Sequence, residues 1–282
     1  MKNVLIANQT VPAIGIGTWN MGETPALHDQ EVKSIQTSLQ AGVKLIDTAE
    51  MYGNGKSELL VHDAIQGFNR SDLLIVDKVL PQNATNTRME HSLNQSLHRL
   101  DTDYIDLYLY HWRGTTPLAE TINELERLQQ TGKIRRWGVS NFDTIDMREL
   151  MQLNGGKNAA TNQVMYNLNH RGIEFDLLNW MNQHQLPTMA YSPVAHGDKL
   201  GRSLSHNRDL IAIANNHHVS VMQLILGWTI QQPNIIAIPK TSNPQHANEN
   251  VAAGEITLSA DELEQINLLF PAPTTKQPLS IL

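Results

Sequence analysis

A single (β/α)8 TIM barrel with extra helices and a short C-terminal tail is the fold class that the sequence predicts, on three observations. Eight short β-type runs alternate with helix-type segments almost to the end of the chain, the order that sets helices outside a parallel sheet. The 282 residues and their 40% hydrophobic content suit one large core, so residues 1–282 are expected to form one domain. Third, Asp47, Tyr52, Lys78 and His111 sit where apolar runs give way to loop. In such a barrel those positions meet at the C-terminal mouth of the strands, where active sites of the fold are built.

The first predicted strand is 13–17, followed by a helical pattern over 30–40. Strand 44–47 ends on Asp47 and leads to a helix over 59–67; strand 73–78 ends on Lys78 and leads to a helix over 85–100. Strand 104–110 runs into His111, and the helix after it, 118–131, stops at Gly132 as helices often do. Strands 137–140, 160–164 and 188–191 alternate with helices 144–153 and 175–184. In each helix apolar residues return at three- and four-residue steps. Helices 208–217 and 220–231 then follow each other without a strand between them, before strand 235–239. A further helix is expected over 259–270, and the tail from Pro271 to Leu282, with three prolines and no helical period, is expected to lie over one rim of the barrel.

Lys and Arg total 21 against 28 Asp and Glu, a formal charge of −7. With no basic surplus to attract a polyanion, neither nucleic acid nor a membrane is expected as a partner. The absence of cysteine excludes disulfides, thiolate metal ligands and a Cys nucleophile. The N-terminus is broken by polar residues too early for a secretory signal, and no apolar run approaches the ~20 residues of a spanning helix. A cytoplasmic, monomeric protein acting on small molecules is the expectation.

Two nucleotide motifs fail on inspection. Gly55-Lys56-Ser57 would need a glycine at position 50 to close a phosphate loop, and that residue is Glu50. Gly15-Ile16-Gly17 lacks the third glycine of a dinucleotide fingerprint, because position 20 is Asn20. A turn opening a helix and a flexible strand are the simpler accounts. His217 and His218 are adjacent and diverge on a helix, so no metal site is predicted. Trp180 and Trp228 read as core, and Arg135-Arg136 as a solvated edge.

Taken singly, Asp47 reads as a helix cap, Tyr52 as loop packing, Lys78 as a solvated strand end and His111 as a core histidine. Together they are the parts needed to protonate a carbonyl oxygen. Tyrosine holds its proton to about pH 10, so donation near neutrality calls for a neighbouring cation to stabilise the phenolate. Lys78 would be that cation, Asp47 would hold it charged, and neutral His111 would hydrogen-bond the substrate oxygen. The same lysine also leaves open a Schiff-base reading.

The segment Leu45-Ile46-Asp47-Thr48-Ala49-Glu50-Met51-Tyr52-Gly53, with Lys78 and His111-Trp112, resembles the aldo-keto reductase family. Gly15-Ile16-Gly17-Thr18-Trp19, Gly138-Val139-Ser140-Asn141-Phe142, Asn162-Gln163-Val164, Tyr191-Ser192-Pro193 and Ile238-Pro239-Lys240 are similar to further motifs of that family, in family order. The resemblance implies a barrel that binds NADPH and passes hydride to a carbonyl carbon, with Tyr52 as proton donor. It implies that Ser140, Asn141 and Gln163 bind the carboxamide and that Tyr191, followed by Ser192, stacks on the nicotinamide. Lys240, Thr241, Ser242 and Asn243 would grip the ribose phosphate, and Glu249 and Asn250 would lie near the adenine. His246 stands where many members carry arginine, which weakens the NADPH preference and admits NADH. Within the family the likeness is to bacterial reductases of small aldehydes such as methylglyoxal, and Trp19 and Trp112 would line an open substrate pocket. A cofactor-holding redox-sensing or regulatory subunit of the same fold is the alternative.

Overall fold

A computed structural model describes residues 1–195 and 204–282. The chain opens with a feature the sequence reading left unassigned, an antiparallel hairpin of β1 (Asn3–Ile6) and β2 (Gln9–Pro12). Its turn residues Ala7 and Asn8 have φ of 49° and 64°, the left-handed geometry of a two-residue hairpin. Period-two alternation buries Val4, Ile6 and Val11. These side chains join Leu45, Leu74, Leu107 and Ile236 in one apolar cluster, so the hairpin plugs the N-terminal end of the barrel.

Eight parallel strands follow: β3 (Ile16–Gly17), β4 (Leu45–Asp47), β5 (Leu74–Val79), β6 (Ile105–Tyr110), β7 (Ile134–Ser140), β8 (Asn162–Met165), β9 (Thr188–Tyr191) and β10 (Ile235–Ala237). They lie side by side in chain order. The ends of the sheet meet through a parallel bridge between Ile14 and Ala237. There the Gly15 N–H donates to the Ala237 carbonyl at 2.8 Å, and the Ala237 N–H to the Ala13 carbonyl at 2.8 Å. Gly17 belongs to this seam for a steric reason: a β-carbon there would lie 2.7 Å from the Ile238 carbonyl oxygen.

Helices α1 (His28–Gln40), α2 (Lys56–Ala64), α3 (Met89–Leu100), α4 (Leu118–Gln130), α5 (Thr144–Gln152) and α6 (Leu177–Gln183) alternate with the strands. Arg208–Asn216 and Val221–Thr229 both precede β10, and Pro244–Ala252 and Ala260–Leu269 follow it. Their apolar stripes bury the second core layer, between helices and sheet, with Ile75, Tyr108, Trp137 and Val164 from the outward side of the strands.

Several predicted boundaries need correction. The first strand pairs at Ile14, Ile16 and Gly17 rather than over all of 13–17. β7 begins at Ile134 rather than at 137, because Ile134 pairs with Ile105 of β6 and is buried in the layer between helices and sheet, while exposed Arg135 rides on the Tyr104 ring 3.9 Å away. The helix expected over 85–100 starts at Met89, after turns over 85–88, and the one expected from 59 starts at Lys56. No described helix is long and apolar enough to cross a membrane.

Candidate active site

Alternation along the strands decides which side chains reach the mouth. Leu45, Val76, Leu109 and Met189 belong to the interior cluster, and a residue two places further on keeps the same side. That parity carries Asp47, Lys78, His111 and Tyr191 to one end of the barrel. Ser140 and Gln163 pair across β7 and β8 and arrive at the same level. Tyr52 comes instead from the turn after β4, Tyr52–Gly55, where Gly53, Asn54 and Gly55 have φ of 57°, 52° and 88°. These left-handed residues swing the chain into α2, so Gly55-Lys56-Ser57 is a turn opening a helix.

Lys78 is the hub. Its Nζ donates to Asp47 Oδ2 at 2.8 Å, to the Thr48 carbonyl oxygen at 2.7 Å and to the Tyr52 hydroxyl oxygen at 3.0 Å. An ammonium has three N–H donors, so each is engaged, and Lys78 is fully buried. The other Asp47 oxygen accepts from Gln163 Nε2 at 2.6 Å. Burial is the largest influence on Lys78 and opposes its charge, but Asp47 and Tyr52 together outweigh it and raise its pKa. For Asp47 burial pushes the carboxyl up and the ammonium pulls it back.

Tyr52 corrects an expectation. Burial raises its pKa above the usual phenol value, and Lys78 opposes that shift without reversing it. The cation softens the hold on the proton, as the sequence reading required, but the net direction is upward because the phenol is nearly buried. His111 behaves as expected: burial first, then repulsion from Lys78, lower its pKa to about 2, so the imidazole is neutral near pH 7. Its ring meets Tyr52 edge-on at 6.0 Å and tilts against Trp112 at 4.6 Å. His111 Nδ1 is buried with no hydrogen-bond partner, while the residue lines the cavity at the mouth of the barrel.

One cavity of about 590 Å³ gathers Asp47, Tyr52, His111, Trp19, Trp112, Ser140, Asn141, Gln163, Tyr191, Ser192 and Lys240. The amide of Asn141 is tied to its surroundings: Oδ1 accepts from the Tyr191 hydroxyl at 2.9 Å, and Nδ2 donates to the His111 carbonyl at 3.1 Å. Asn141 and Ser192 both hold left-handed backbone, with φ of 57° and 50°. Exposed Lys240 stands at the edge of the cavity and donates to Ser242 Oγ at 3.0 Å. An aromatic face, a row of amides and hydroxyls, and a cation at the rim fit a nicotinamide cofactor in donor, acceptor and charge.

The remaining predicted contacts do not line this cavity. Thr241, Ser242 and Asn243 lead into Pro244–Ala252, where Asn243 caps the helix by accepting from the Gln245 N–H at 2.9 Å. Exposed His246 and half-buried Glu249 and Asn250 lie along that helix, and Thr241 and Asn250 border a separate small crevice. Residues that the reading missed include Met51, Met222, Ile281 and Leu282, all on the cavity wall. Of these, the last two belong to the tail predicted to cover the rim, which His170 Nδ1 and Ser280 Oγ help to anchor at 3.2 Å.

The model of the "Aldo/keto reductase family" matches residues 13–269. The chain is 44% identical over 272 residues to methylglyoxal reductase YeaE of Escherichia coli, covering 96% of this chain and 95% of the relative. It is 29% identical over 259 residues to a glyoxal reductase of Bacillus subtilis, covering 92% and 89%. A crystal structure of an aldo/keto reductase from Klebsiella pneumoniae in complex with NADP and acetate is similar with a TM-score of 0.98 and 46% identity, over 100% of this chain and 99% of that one.

Proposed function

Because the chain belongs to the aldo/keto reductase family, we propose that it reduces small aldehydes, α-keto aldehydes such as methylglyoxal among them, to alcohols with NADPH. It does so as one barrel domain without a partner chain. The relatives named for methylglyoxal and glyoxal reduction, and the similar structure holding NADP, support the substrate class and the cofactor.

The observation that carries the reading is the bond from Lys78 Nζ to Tyr52 at 3.0 Å. The phenol oxygen accepts there, so its own O–H is free for another acceptor, and Tyr52 lines the cavity beside His111. A carbonyl oxygen seated between them takes a hydrogen bond from the neutral imidazole and then the proton from Tyr52. Lys78, kept charged by Asp47, stabilises the phenolate left behind. Bound NADPH supplies the hydride. Ser140, Asn141 and Gln163 would hold its carboxamide, and Tyr191 would back one face of the ring and leave the other for substrate. Lys240 to Asn243, with His246, Glu249 and Asn250, would take the adenosine half outside the main cavity. Trp19 and Trp112 give the carbonyl side apolar walls.

Tyr52→Phe tests this directly. Methylglyoxal turnover should fall at least ~100-fold, while NADPH affinity, read by fluorescence titration, stays within about twofold of the parent. Joint loss of turnover and cofactor binding would contradict a proton-donor role.

A further inference from the structure

Behind the ammonium of Lys78, on the side away from the cavity, lie three fully buried hydroxyls from three different elements. Thr18 follows β3, Thr48 follows β4 and Ser57 is in the first turn of α2. Thr48 Oγ1 donates to Ser57 Oγ at 3.1 Å, Ser57 Oγ donates to Thr18 Oγ1 at 2.6 Å, and Thr18 Oγ1 donates to the Asp47 carbonyl at 2.9 Å. One hydrogen per hydroxyl suffices for this order. The chain of donors runs in one direction and ends on the main chain of Asp47.

We infer that Thr18, Thr48 and Ser57 are positioning residues that fix the Asp47–Thr48 backbone, and through it the ammonium of Lys78 and the phenol of Tyr52.

The geometry bears on both partners of the proton transfer. Asp47 contributes its carboxylate to Lys78 and its carbonyl to the Thr18 hydroxyl and N–H, the latter at 3.1 Å. Thr48 contributes its carbonyl to Lys78 at 2.7 Å and its hydroxyl to Ser57. Two of the three acceptors of the ammonium therefore hang on backbone that the hydroxyls restrain. The third, Tyr52, heads the turn that runs into α2, and Ser57 pins the start of that helix to Thr18 and Thr48. Apolar side chains of equal volume would fill the space but break the chain of hydroxyls, leaving the Asp47 carbonyl with the Thr18 N–H alone. A small loosening at Thr48 lengthens one bond to Lys78 and lets its charge drift from the phenol, where sub-ångström placement matters to transfer.

This inference rests on the proposed reduction for its kinetic arm and is independent of it for its spectroscopic arm. A buried ammonium with three bonded hydrogens exchanges slowly with water, so its 15N–H resonance, assigned by loss in Lys78→Met, should be visible in the cofactor-free full chain near neutral pH. In Thr48→Val and Ser57→Ala, exchange should accelerate about tenfold, the change that losing one net hydrogen bond of restraint gives. The conservative Thr48→Ser should restore the parent rate. Methylglyoxal kcat should drop about tenfold in the first two variants, with KM within about twofold and the alkaline limb of the kcat profile moved to higher pH, because a phenol further from the ammonium holds its proton longer. Thr48→Ser should keep the parent profile. Unchanged exchange in Ser57→Ala and Thr48→Val, or a Thr48→Ser variant as impaired as Thr48→Val, would overturn the inference, and Ser57→Ala alone decides it should Thr48→Val not fold. A parent protein that turns over no aldehyde while the exchange pattern holds would overturn the proposed function and leave the positioning inference standing.

Discussion

Replacing His111 with phenylalanine should remove a defined fraction of the protein's sensitivity to acid. In the folded protein burial and Lys78 hold the imidazole to about 2, whereas in the unfolded chain it titrates near its ordinary 6.5. A group whose pKa is depressed by folding stabilises the native state above the unfolded value, and that stability is lost as pH falls. Each pH unit below the unfolded value is worth about 1.36 kcal/mol, because the unfolded chain binds a proton that the folded site refuses. Between pH 7.5 and pH 5.0 the proton is taken up over roughly one and a half units, so His111 should cost about 2 kcal/mol of stability. Urea unfolding of parent and variant at both pH values gives the quantity as a difference of differences, in which the other 11 histidines cancel. The variant should lose about 2 kcal/mol less than the parent on acidification. Equal losses would mean that His111 gains a proton in the folded site as readily as in water, and a neutral imidazole could not then be assigned to the carbonyl oxygen.

Two further perturbations follow from the same geometry. Lys78→Met leaves Asp47 buried beside Gln163 without its cation and should cost about 3–5 kcal/mol at pH 7.5 by urea unfolding. With its folded pKa raised, Asp47 then favours the native state below the unfolded carboxylate range of about 4 and loses that contribution as pH rises, so the deficit should shrink at pH 5.0; a variant as stable as the parent at pH 7.5 would contradict the buried ion pair. His246→Arg should lower the KM for NADPH relative to that for NADH by about two- to fivefold, the range of an exposed ion pair, and an unchanged ratio would mean that position 246 does not reach the phosphate.

The parts of the fold legible in the sequence were those with a strong periodic signal. β5 and β6 are buried at all six positions, and such apolar-rich runs, though they carry Asp77, Lys78 and Asp106, announce strands wherever their ends fall. Ends were less legible because they depend on partners: whether Arg135 lies inside a strand is decided by the Tyr104 ring beneath it. The opening hairpin escaped notice because each of its strands is only four residues long and the second is half polar. At the site, strand exits and family likeness pointed to Asp47, Tyr52, Lys78 and His111, and the structure brings them together. Family order did not say where each residue sits, so Thr241 to Asn250 prove to lie off the main cavity. The sign of the Tyr52 shift was illegible for a related reason. Sequence names a cation nearby, but only the packed site tells how much water the phenol loses.

The bonds around Lys78 also separate proton transfer from covalent catalysis, two chemistries that a lysine at a barrel mouth leaves open. A lysine attacks a carbonyl through the lone pair it gains on losing its proton, and enzymes reach that state by desolvating the amine or setting it beside another cation. Lys78 is desolvated, but its neighbours are a carboxylate, a backbone carbonyl and a phenol oxygen, all of which stabilise the ammonium. The balance falls on the charged side. With each hydrogen directed at a protein oxygen, attack would require breaking one of these bonds and leaving a buried carboxylate or carbonyl unpaired. Tyr52 stands in the opposite position: its oxygen is already an acceptor, and its proton is not spent on holding the cluster together.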